Sequence, residues 1–158
     1  MSNDSPFSAV AKQAMLQPQE TLMGIKKQRK ELYIGIPKET SYQENRIAIT
    51  PLSAGLLVAN GHEVWVESNA GKATNFSDKE YSEVGAKIVY DVKEVYKADI
   101  LIKVAPPSME EVEMMQKGQT LISAIHLATL SEDYIRKIMS KNITAICYEY
   151  FGQLQLGH

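Results

Sequence analysis

The chain has 158 residues, 44% hydrophobic and 23% charged, with a formal net charge of −2. That length supports one domain with a buried core, and the near-neutral balance offers no global basic field for nucleic acid. No apolar run approaches the ~20 residues that cross a bilayer, and the start, with Asp4 and no basic or long apolar stretch, does not read as a secretory signal.

Residues 1–31 read as an extension that is expected to be helical. Ser5 suits an N-cap with Pro6 at the first helical position. Phe7, Val10, Ala11 and Ala14 follow helical spacing, and Pro18 ends it. A second stretch closes on Lys26, Lys27, Arg29 and Lys30. That charge run fits a solvated helix C-terminus better than an interaction arm.

The domain proper is read over residues 32–151, with 152–158 as a tail. Leu32 to Ile36 is a short apolar strand before Pro37, and a polar loop follows with Arg46 near its end. Thr50 caps a helix with Pro51 at its first position and Gly61 just past its end. His62 to Glu67 is a second strand, with His62 a turn residue rather than a ligand. Ser77 starts a helix that runs through Val84, Lys87 to Val89 is a strand, and Val92 to Tyr96 is a helical turn or two. Ile100 to Val104 is a strand holding Lys103. After Pro106 and Pro107, Ser108 starts a helix rich in Glu and Met. Thr120 to Ile125 is a strand closed by His126, Ser131 caps the next helix, and Ile143 to Cys147 is the last strand. Alternating units of this kind predict an α/β fold of three layers. Its mostly parallel sheet would carry helices on both faces, in a Rossmann-like or flavodoxin-like arrangement.

In such a fold, ligands bind at the carboxyl ends of the strands, where this reading places Arg46, Lys103 and His126. The planar guanidinium of Arg46 matches a carboxylate, though a surface salt bridge is the plainer use. Lys103 interrupts an apolar run, so it either snorkels to water or meets an anion. His126 is either a hydrogen-bonded core residue or a proton carrier near neutral pH. The lone cysteine, Cys147, excludes an intrachain disulfide and sits among apolar neighbours as a buried structural thiol. No residue spacing suggests a metal site. No G-x-G-x-x-G, P-loop or G-x-S-x-G is present.

The segments IGIPKETSYQENRIAITP, GHEVWVESNAG, FSDKEYSEVGAKIV, ADILIKVAPP, ISAIHLA and ITAICYEY, in that order from Leu32 to Tyr150, resemble the N-terminal domain of alanine dehydrogenases. The same domain type occurs in the alpha subunit of proton-translocating nicotinamide nucleotide transhydrogenase. His126-Leu127 and the pair Tyr148-Glu149 favour the dehydrogenase branch. The resemblance implies that Arg46 binds the substrate carboxylate, that Lys103 contacts the substrate and that His126 is the catalytic acid/base. It implies the reversible oxidation of L-alanine with NAD and water to pyruvate, ammonium and NADH. The family's NAD-binding domain and its catalytic aspartate lie beyond this sequence. The chain is therefore expected to be a cytoplasmic substrate-domain fragment that binds no NAD and transfers no hydride by itself. A homo-oligomer is compatible with the family. Saccharopine dehydrogenase has a related architecture. Outside the enzymes, a non-catalytic binding or assembly module is the alternative.

Overall fold

A computed structural model describes residues 31–126 and 129–148. The expected helical extension, apart from Glu31, and the expected tail lie outside the described residues. Strands β1 (Tyr33–Ile36), β2 (Glu63–Glu67), β3 (Lys87–Val89), β4 (Ile100–Ile102), β5 (Thr120–Ser123) and β6 (Thr144–Cys147) alternate with helices α1 (Pro51–Ala59), α2 (Asp78–Glu83), α3 (Val92–Val95), α4 (Met109–Met114) and α5 (Glu132–Ser140). The six strands form one sheet in the order β3-β2-β1-β4-β5-β6. Every pairing is parallel. The expected α/β architecture is therefore what the chain adopts.

Each helix begins where a side chain can take up a free backbone N–H. Thr50, Ser77, Asp91, Ser108 and Ser131 are the N-caps of α1 to α5. Ser77 and Ser108 complete capping boxes with Glu80 and Glu111. Gly61, at φ +86°, turns the chain out of α1.

Alternation along the strands divides the core between two faces. Ile34, Ile36, Val64 and Val66 pack with Ala54 of α1 and Tyr81 of α2. Leu101 and Leu121 pack on the other face with Val95 of α3, Tyr96 at its C-cap and Met115 just after α4. Gly35 of β1 faces this second layer, where an added Cβ would stand 2.7 Å from the Val95 carbonyl oxygen. Only glycine lets α3 approach the sheet this closely. Cys147 is half-buried rather than buried, because β6 is an edge strand with a neighbour on one side only. Among the described residues no helix is long and apolar enough to cross a membrane.

Candidate functional site

The strand order reverses direction at β1: β2 lies on one side of it and β4 on the other. The helix after β1 packs on the first face and the helix after β4 on the second. The loops that leave these strands therefore part, opening a crevice at their carboxyl ends. Among the described residues, two cavities at this place bear on the site. One, of about 410 Å³, is walled by Arg46, Ile47, Ala48, Ile102, Val104 and Tyr148, among others. The second, of about 280 Å³, includes Lys38, Glu39, Glu44 and Lys72 in its wall. Arg46 lines both.

Arg46 comes from the loop between β1 and α1. Its side chain is 75% exposed, whereas that of Glu44 is 11% exposed. The Arg46 Nε–H donates to Glu44 Oε1 at 2.8 Å and Nη2 to Oε2 at 2.7 Å. Glu44 Oε1 also accepts from the Arg46 backbone N–H at 3.0 Å. The Arg46 guanidinium holds the Glu44 carboxyl down to about 2, and Glu44 in turn raises the pKa of Arg46.

Lys103 follows β4 directly, on the same face as Leu101. It does not snorkel to water: its side chain has no exposed surface. Its Nζ donates to Glu111 Oε1 at 3.0 Å and Oε2 at 3.1 Å. Glu39 Oε2 stands 3.7 Å away, and the Lys38 carbonyl oxygen accepts at 3.5 Å. A buried ammonium carries a desolvation cost of several kcal/mol, which these two carboxylates offset. Glu111 also accepts from Thr40 Oγ1 at 3.0 Å and from the Ser108 N–H at 2.8 Å. Glu39 accepts from the Val104 and Ala105 N–H groups at 2.6 and 3.3 Å. Burial pushes the Glu39 carboxyl above its ordinary value, with the Lys103 charge pulling the other way. The Tyr96 hydroxyl is buried beside this cluster without a hydrogen bond of normal geometry. Its pKa is raised by burial first and by the Glu111 charge second.

His126 is exposed, three positions beyond the end of β5. Its carbonyl oxygen accepts from the Thr129 N–H at 2.9 Å and from Thr129 Oγ1 at 2.8 Å. The structure thus brings Arg46 and the backbone around Lys103 to one cavity. His126 stands at the same edge of the sheet but outside the residues lining either cavity.

Reading the sequence overlooked Glu39, Glu44, Glu111 and the position of Tyr148, whose hydroxyl donates to the Val104 carbonyl oxygen at 2.9 Å. For Glu111 a signal was present: Ser108 and Glu111 have capping-box spacing, and α4 starts close to Lys103. Among the described residues no group of three or more His, Cys, Asp and Glu side chains could hold a metal ion.

The sequence model of the family "Alanine dehydrogenase/PNT, N-terminal domain" matches residues 35–156. The alanine dehydrogenase of Bacillus subtilis (strain 168) is 40% identical over 118 residues, which is 75% of this chain and 31% of that protein. The alanine dehydrogenase of Methanococcus maripaludis is 40% identical over 119 residues, 75% of this chain and 32% of that one. Among solved structures, an L-alanine dehydrogenase superposes with a TM-score of 0.72 at 36% identity, covering 75% of this chain and 32% of the other. A transhydrogenase from Sinorhizobium meliloti superposes with a TM-score of 0.69 at 27% identity, covering 74% of this chain and 35% of that one. The chain spans about a third of the length of the relatives it matches.

Proposed function

Because the chain belongs to the alanine dehydrogenase/PNT N-terminal domain family, we propose that it is the 2-oxoacid-binding half of an alanine dehydrogenase-type oxidoreductase acting in the cytoplasm. The full reaction would interconvert L-alanine, NAD and water with pyruvate, ammonium and NADH. The observation that carries this reading is the position of Arg46 on the wall of the cavity of about 410 Å³ at the carboxyl ends of β4 and β5.

In this reading Arg46 holds the carboxylate of pyruvate or alanine and fixes its orientation. His126 moves protons at the substrate oxygen and nitrogen as water and ammonia exchange. It stands outside the residues lining the cavity, so this role requires it to come nearer the substrate than it stands in this structure. Lys103 is the second substrate cation. Its ammonium meets a ligand only by giving up one of its carboxylate contacts.

The loop after β1 does not carry the usual dinucleotide fingerprint. The loop from Pro37 to Thr50, which leaves β1 at the switch point, contains no glycine, so it cannot bring its backbone against a pyrophosphate in the usual way. In this reading hydride transfer belongs to a cofactor held by a part of the enzyme that this chain does not span.

A chimera tests the proposal. Residues 32–150 of this chain replace the matching segment of the Bacillus subtilis alanine dehydrogenase. L-alanine-dependent NADH formation is expected, falling about 10²–10⁴-fold on His126→Ala. A folded chimera that binds NAD but is inactive, or that loses nothing on His126→Ala, contradicts the assignment.

A further inference from the structure

We infer that Glu44 is the positioning residue for Arg46: it clamps one edge of the guanidinium so that the other edge faces the cavity. This rests on the reading of Arg46 as the carboxylate-binding group.

An arginine side chain has five N–H donors arranged around a plane. Glu44 takes the edge formed by Nε and Nη2, with one oxygen on each. The edge formed by Nη1 and the second Nη2 hydrogen stays available, and it can accept another carboxylate in two parallel bonds. A long exposed side chain ordinarily samples many rotamers and loses that freedom on binding. Here the loss is already met within the free chain.

Three further features fit a built device rather than a chance surface pair. Exposure is unequal, 11% for Glu44 against 75% for Arg46, so the carboxylate is a seated anchor and the guanidinium a presented head. Glu44 Oε1 also binds the Arg46 backbone N–H at 3.0 Å, which fixes the base of the arginine as well as its tip. Gln43, immediately before Glu44, has φ +60°, a left-handed conformation uncommon for a residue that is neither Gly, Asn nor Asp. The following hydrogen bond from the Glu44 N–H to the Ser41 carbonyl oxygen, at 3.1 Å, closes this turn. The loop thus takes a costly backbone state and sets Glu44 beneath Arg46.

The clamp also holds over the working pH range. The Glu44 carboxyl, brought to about 2 chiefly by its hydrogen bonds from Arg46, stays ionised from neutral pH well into acid.

The test uses the 158-residue chain and its variants Glu44→Ala, Glu44→Gln, Arg46→Ala and Glu44→Ala/Arg46→Ala. Two quantities are read by NMR: the order of the Arg46 Nε–H bond, and the affinity for pyruvate. The Arg46 Nε–H is expected to be ordered in the wild type and mobile in Glu44→Ala. Glu44→Gln, which keeps one acceptor, should restore part of that order. Pyruvate affinity should weaken roughly tenfold in Glu44→Ala and show no further loss from that change once Arg46 is alanine. Unfolding midpoints should stay close together, because the Arg46 end of the pair is exposed to solvent. An Arg46 Nε–H that stays ordered in Glu44→Ala overturns the inference. So does an affinity that is unchanged or tighter while Arg46→Ala abolishes binding; tightening would make Glu44 a competitor for the ligand. A wild type that binds no pyruvate, yet loses Arg46 order in Glu44→Ala, upholds the clamp and removes the proposed function instead.

Discussion

Lys103→Met is expected to lower the unfolding free energy by about 3–5 kcal/mol, the usual cost of breaking a buried ion pair from one side. Methionine fills much the same volume, so packing loss is a minor part of the effect. The loss arises because Glu111 and Glu39 remain buried with no cation between them. The deficit has a pH signature. The folded-state value of Glu39 already lies above its ordinary 4.5, so its proton binds more tightly in the folded chain than in the unfolded one. A group raised in this way contributes stability below its unfolded value, and that contribution is lost as pH rises through the folded value. Removing the Lys103 charge, which opposes the rise, moves the folded value further up. The gap between variant and wild type should therefore be widest near neutral pH and narrow as pH falls toward 4.5. Urea unfolding at several pH values measures it; a gap that widens in acid would contradict this account of the cluster.

Glu111→Ala is expected to cost a similar ~3–5 kcal/mol, by a different sum of losses. Lys103 loses the carboxylate that meets it at 3.0 and 3.1 Å. The capping box of α4 opens, leaving the Ser108 N–H without its acceptor, a loss of order 1 kcal/mol alone. Thr40 Oγ1 loses its bond at 3.0 Å, and Thr40 belongs to the loop that carries Glu44 and Arg46. One side chain therefore joins the loop after β1, the end of β4 and the start of α4. Because the two residues share one interaction, Lys103→Met/Glu111→Gln should cost less than the sum of its single changes by roughly 1–3 kcal/mol. Additive single and double variants would show that the contact contributes nothing.

The elements of the sheet were legible because their signals are local. Ser or Thr before an apolar helical pattern, Pro51 at a first helical position and short apolar runs between turns each act within a few residues. Thr50, Ser77, Ser108 and Ser131 all cap the helices expected of them. Strand lengths were less legible. The run Ile100 to Val104 reads as one strand, but the ladder ends at Ile102. Lys103, just past it, still donates its backbone N–H to the Ile122 carbonyl oxygen at 3.0 Å, while its side chain reaches Glu39 and Glu111. The partners of Lys103 could not be read in advance, since Glu39 lies 64 positions away in the chain and meets it only once β1 and β4 pair side by side. Alternation does place Lys103 on the face of Leu101, which is covered by helices. That argues for a buried partner rather than for water, a point that residue-by-residue reading missed. Glu44 was passed over for the opposite reason: a carboxylate two positions from an arginine is commonplace, and only the unequal exposure of the pair separates this one.

Under the proposed function, the crevice at the switch point recognises a carboxylate through Arg46. The most direct measurement is a titration of the 158-residue chain with pyruvate, followed by NMR, beside Arg46→Ala and with pyruvamide as the uncharged control. Saturable shifts at Ile47, Ile102, Ile122 and Tyr148 are expected for pyruvate, much weaker shifts for pyruvamide, and none in Arg46→Ala. Equal binding in Arg46→Ala, or no shifts in the folded wild type at millimolar pyruvate, would contradict carboxylate recognition by Arg46.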